Sequence, residues 1–147
     1  MAQYFSTEFA GITAQPVVKP SAPVGVGARV RRFRGTVNLA SQAVITVADN
    51  ISLCRIPAGY LFCYGVIVAS ATLGGVATLA IGITGTTGKY RAAAIFTAVD
   101  TPTFFGPALI IGNQTPTAAE EEILGTIAAA SLPAAGTFVV DMYMSNG

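Results

Sequence analysis

Four groups of residues in this chain are of types that do chemistry. Arg29, Arg31, Arg32 and Arg34 crowd half of the eight basic residues into one short stretch; Glu120, Glu121 and Glu122 are consecutive; Cys54 and Cys63 are the two cysteines; and residues 82–90 form a glycine-rich run ending Gly88-Lys89-Tyr90. The chain has no histidine, which removes the side chain most used as a general base and metal ligand. The glycine-rich run fails as a phosphate loop on two counts: Ile83 stands where the earlier glycine belongs, and Tyr90 follows the lysine where Ser or Thr is required. It reads instead as a turn between strands. Three adjacent carboxylates make no acid–base pair in an extended chain, because neighbouring strand residues point to opposite faces. A solvated strand start is the better reading, and no alternating Asp/Asn loop supports Ca²⁺. The cysteines lack a base to activate them, so no enzymatic activity, cofactor or metal is expected.

The cysteines do suggest geometry. If the chain reverses at Pro57-Ala58-Gly59, a two-residue loop at Ala58-Gly59 sets Cys54 opposite Cys63 across a hairpin, where a cross-strand disulfide is geometrically feasible. Buried reduced thiols are the default in a reducing compartment. The arginine cluster has two readings, a solvated strand start or arm, and a tether to an acidic partner surface or to packaged nucleic acid, while the net charge of +1 gives the chain no general field for nucleic acid.

The elements that would position these residues follow from composition and period. A chain of 147 residues suits one domain with its own core. It is 52% hydrophobic and only 10% charged, against about 25% charged in typical soluble domains. A surface so poor in charge fits a permanent assembly that hides part of it between subunits. Between Arg55 and Lys89 no charged residue occurs, yet Thr72, Gly74, Gly75 and Thr78 interrupt the run. After them Leu79, Ile81 and Ile83 alternate with Ala80, Gly82 and Thr84, the period of a half-buried strand and not of a membrane helix. The first eight residues lack the basic start and apolar block of a secretory signal.

Residues 1–34 read as an extended arm with a basic end, and 35–147 as the folded domain. Pro16, Pro20 and Pro23 disfavour both helix and central strand, and Tyr4, Phe5 and Phe9 would dock on a neighbour or fold back. Residues 36–40 and 43–48 form an expected hairpin about Ser41-Gln42, followed by strands over 51–56, 60–69, 78–84, 92–97, 108–111, 123–128 and 138–144. Phe104 and Phe105 fall in a Pro/Gly loop, either as a sticky contact or as a cap on the core. In the last strand Phe138, Val140, Met142 and Met144 share one face, while Val139, Asp141 and Tyr143 share the other. About eight short strands with glycine and proline turns give an all-β fold, an antiparallel two-sheet β-sandwich of jelly-roll type.

Several turn and strand sequences carry a resemblance. Leu53-Cys54-Arg55-Ile56-Pro57-Ala58-Gly59, Ala71-Thr72-Leu73-Gly74 through Ala80-Ile81-Gly82, Lys89-Tyr90-Arg91-Ala92-Ala93, Glu121-Glu122-Ile123 and residues 132–141 together look like those of small tailed-bacteriophage proteins that decorate or cement the head. The resemblance spans residue 36 to the end. It implies a virion protein on the capsid exterior, assembled in the bacterial cytoplasm, which binds the major capsid protein as a homo-oligomer, often a trimer, and bridges capsomers. The candidate partner contacts are then Tyr4, Phe5, Phe9, Arg29, Arg31, Arg32, Arg34, Phe104 and Phe105. No small molecule, membrane or nucleic acid is expected as a partner. The alternatives are a head-to-tail connector or tail subunit, and a carbohydrate- or receptor-binding sandwich using Asp100 beside Phe104 and Phe105.

Overall fold

The structure is a computed structural model that describes residues 29–41, 44–106 and 115–146. Eight strands are present among these residues: β1 (Arg29–Asn38), β2 (Asn50–Ile56), β3 (Leu61–Ala69), β4 (Thr78–Ile83), β5 (Thr86–Ile95), β6 (Thr103–Phe105), β7 (Glu121–Ala128) and β8 (Thr137–Asn146), with one 3-10 turn at Leu39–Ser41. They form two four-stranded antiparallel sheets, β1-β8-β3-β6 and β2-β7-β4-β5. Pairing first with last, second with seventh, third with sixth and fourth with fifth is the connectivity of a long hairpin wound into two sheets, a jelly roll.

The alternation expected from sequence builds the core. Phe138, Val140, Met142 and Met144 of β8 and Ile67 of β3 face Ile56, Leu79, Ile81, Ile123 and Ile127 of the other sheet, all essentially inaccessible to water. Fully burying side chains of this size contributes about 1.5–3 kcal/mol each before chain entropy is counted. The sheets come close at the β1–β2 side, where an added Cβ on Gly35 would lie 2.8 Å from the Leu53 carbonyl oxygen.

Four expectations are corrected. First, β2 and β3 do not form a hairpin: β2 pairs with β7, and β3 with β8 and β6. The turn at Ala58-Gly59 carries the chain from one sheet to the other, Cys54 lies opposite Ile123, and both thiols are free. Second, residues 44–48 form no strand. Asp49 accepts from the Thr46 amide and hydroxyl, and the Ile45 carbonyl accepts from Leu132, so this stretch is a crossing between sheets. Third, the basic residues 29–34 belong to β1, in register with Asp141–Asn146, and not to an arm. Fourth, Phe104 and Phe105 lie in a short strand, not a loop. The expected strand at 108–111 lies outside the described residues, as do Tyr4, Phe5 and Phe9.

Candidate docking face on the outer side of one sheet

An antiparallel sheet in a sandwich normally turns polar residues to water on its outer face. The sheet β1-β8-β3-β6 does so only on its β1 side. On β8 the residues alternating with the core set are Val139, Asp141 and Tyr143. Register places Arg32 and Tyr64 on either side of Tyr143, Arg34 and Val66 on either side of Asp141, and Thr36 and Val68 on either side of Val139. Phe104 on β6 stands beside Val66 and completes the second row.

A β-bulge sets this face. Phe62 opposes Met144 and Tyr64 opposes Tyr143, so Cys63 is an extra residue in β3. Without that bulge, unbroken alternation from Phe62 would put Tyr64 on the core side. With it, Tyr64 stacks on Tyr143 at 4.7 Å and 18° between ring planes, and meets Phe104 at 5.7 Å and 52°. Phe104 is 70% exposed and Tyr64 40%.

One charged pair is set into the face and satisfied from within. Arg34 donates from Nε and Nη2 to the two oxygens of Asp141, both at 2.7 Å. That two-pronged bond raises the Arg34 pKa and, with the attraction of Arg34 and Arg32, holds the Asp141 carboxyl below the usual carboxylate range against its partial burial. The face thus presents aliphatic and aromatic groups around an internally neutralised pair, with Arg32 at the β1 side.

Phe105 points the other way. Its ring occupies the place of a Gly65 side chain, 2.1 Å from where a Cβ would stand, and stacks on Phe62 at 6.5 Å. Of the two phenylalanines, one therefore contacts solvent and the other caps the core. The three glutamates separate as strand alternation requires. Glu120 pairs loosely with Arg55 at 3.5 Å, Glu122 accepts from Ser52, and Glu121 turns inward to accept from Lys89 at 2.5 Å and Tyr90 at 2.6 Å. Burial, reinforced by that bond to Glu121, pushes the Tyr90 hydroxyl pKa well up. Lys89, Tyr90 and Glu121 line a cavity of about 320 Å³ with Tyr60, Phe62 and residues 115–118. Among the described residues no three His, Cys, Asp or Glu side chains gather as a metal site.

No family model matches the chain, and no curated protein matches its sequence. Solved structures do match in shape. A chain of the cyanophage Pam1 capsid asymmetric unit superposes with a TM-score of 0.64 at 18% identity, over 92% of this chain and 98% of that one. A chain of the Ralstonia phage GP4 capsid gives 0.62 at 17% identity, over 86% and 90%. One from the acidic stable capsid of Helicobacter pylori bacteriophage KHP30 gives 0.58 at 8% identity, over 82% and 90%.

The fold is one found in phage capsids.

Sequence reasoning named Phe104, Arg32 and Arg34 as candidate contacts, and the structure gathers them on one face with the Asp141/Tyr143 side of β8. It missed Tyr64, Val66 and Val68, because an unbroken alternation from Phe62 puts Tyr64 with the core. The signal present was the unusual polar-aromatic order Phe62-Cys63-Tyr64-Gly65, in which Gly65 leaves room for a ring.

Proposed function

We propose that the protein is a structural component of a phage virion that binds the outer surface of the shell as a homo-oligomer, with a trimer as the expected state, and stabilises it by bridging capsomers. The outer face of β1-β8-β3-β6 carries this reading: its apolar aromatic centre, with charge neutralised in place, has the anatomy of a protein contact. The likeness to chains of phage capsids over nearly the whole length of both partners supports it. On a repeating lattice, several modest contacts made at once by one oligomer add up to firm attachment without any chemistry.

The face argues against sugar binding. A sugar ring stacks on an open aromatic face, and of the four rings only Phe104 is largely open, since Tyr64 and Tyr143 stack on each other and Phe105 fills the slot at Gly65.

The test is to mix purified protein with empty heads assembled without it. Sedimentation with the heads, a native mass several times that of one chain, and loss of attachment in the Tyr64→Asp/Phe104→Asp variant are expected. A monomer that leaves the heads untouched would refute the reading, and electron-microscopic density confined to the neck would replace it with a connector role.

A further inference from the structure

The two sheets end in four edge strands, and three of them are blunted. Edge β6 is three residues long. Edge β2 carries a bulge at Leu53, and edge β5 is interrupted twice in its pairing with β4. Short strands and bulges are the devices by which sandwiches prevent another strand from adding to them. Edge β1 has neither. It runs ten residues from Arg29 to Asn38, pairs with β8 in unbroken register, and contains no proline. Among the described residues, no backbone group outside β8 bonds β1 before its last residue. Every second residue of a ten-residue edge therefore turns a backbone donor and acceptor outward.

The charge on this edge is one-sided. Arg34 is matched by Asp141, but no described acidic group lies within ion-pair distance of Arg29, Arg31 or Arg32, each of them exposed. An incoming strand would bring its side chains within about 5 Å of these arginines on both faces of the sheet. A basic strand would be repelled and an acidic one attracted.

We propose that the open β1 edge is a strand-addition site for an extended acidic segment of a partner protein. The backbone ladder would supply the affinity, and Arg29, Arg31 and Arg32 the choice of partner. A second copy of β1 is disfavoured as the occupant, since two such edges side by side set arginines against arginines. The inference stands apart from the virion reading in the β1 backbone edge and in Arg29 and Arg31, which alternate with Arg32; only Arg32 also borders the aromatic face.

The experiment uses the full chain and labelled peptides of about nine residues that alternate Glu with Val or Thr, with a Lys-for-Glu version and a version interrupted by proline. Anisotropy should show binding of the acidic peptide alone, weakened by salt, with added hydrogen-exchange protection along β1. The R29E/R31E variant, altered at exposed positions away from the aromatic face, should lose the acidic peptide by roughly fivefold or more and gain the basic one, as two exposed charge pairs change sign. Equal binding of the proline-interrupted peptide, or no change in the variant, would overturn the proposal. So would binding that appears only after removal of residues 1–28, since the edge would then belong to this chain's own N-terminal segment. An effect on the peptide with head attachment intact, or the reverse, separates this site from the aromatic face.

Discussion

Asp141 sits on the outer side of its sheet and is nevertheless nearly inaccessible, because Arg34 lies across it with two hydrogen bonds. Its carboxyl titrates below the ordinary value, so its contribution is fully present above the unfolded pKa of about 3.9 and disappears as pH falls through the lower folded one. The Asp141→Asn variant should show a lower denaturation midpoint than the parent near pH 7, and the gap should close as pH falls from about 5 towards 2. Gly65 gives a second residue-scale test. A methyl there meets the Phe105 ring, so Gly65→Ala should cost about 1–3 kcal/mol in chemical denaturation, with part regained when Phe105→Ala empties the slot. The thiols give a third. Burial raises the Cys54 pKa to about 11, which leaves roughly a thousandth as thiolate at pH 8. Alkylation of Cys54 should therefore be slow until the protein unfolds, and unfolding without reductant should release two free thiols and no disulfide.

At the scale of the element, β3 shows why single residues of spacing matter more than their side chains. The extra residue at Cys63 lets Phe62 face the core and Tyr64 face out in consecutive turns of the pleat. The Cys63 thiol makes only a weak 3.8 Å contact with the Leu61 carbonyl. Cys63→Ser should thus move stability by no more than about 0.5 kcal/mol. Deleting residue 63 makes Phe62 and Tyr64 neighbours on opposite faces of an unbulged strand and keeps both pairings, whereas deleting Val66 slips the regular ladder by one residue and should cost at least about 2 kcal/mol by exposing a core side chain; urea titration of the variants checks the contrast. The same strand marks where sequence reading stops. Alternation in β8 was legible because that strand is regular through the core, whereas β4 is buried on both faces from Leu79 to Gly82, and a bulge resets the period without a signature of its own. The 44–48 stretch misled for the opposite reason: Val44, Ile45 and Val47 have strand composition, but only Ile45 is buried, and its backbone joins Leu132 and not a sheet.

At the scale of the molecule, the sandwich is an apolar object with few charges, and three ion pairs join some of them: Arg34 with Asp141, Lys89 with Glu121, Arg55 with Glu120. The chain has no histidine, so no side chain of ordinary pKa titrates between about pH 5 and 8. The urea midpoint of the isolated protein should stay flat across that range; a slope would reveal a perturbed group. What distinguishes this molecule from a neutral sandwich is the placement of two features on one sheet, an aromatic face and an open arginine edge. Neither is a local property. The face needs β8, β3 and β6 side by side, and the edge exists only because β1 is the outermost of the described strands in its sheet.

The sequence by itself determined the all-β class, the two-sheet layering, the buried side of β8, and the lack of a phosphate loop or carboxylate dyad, because strand period and side-chain chemistry are written residue by residue. The tertiary structure alone decided which strands are neighbours. A turn such as Pro57-Ala58-Gly59 encodes a reversal of direction, and the free energy of burying two sheets against each other settles whether the next strand stays in its sheet or crosses over. That choice separated Cys54 from Cys63, drew Arg29 to Arg34 into β1, and turned Tyr64 outward beside Tyr143.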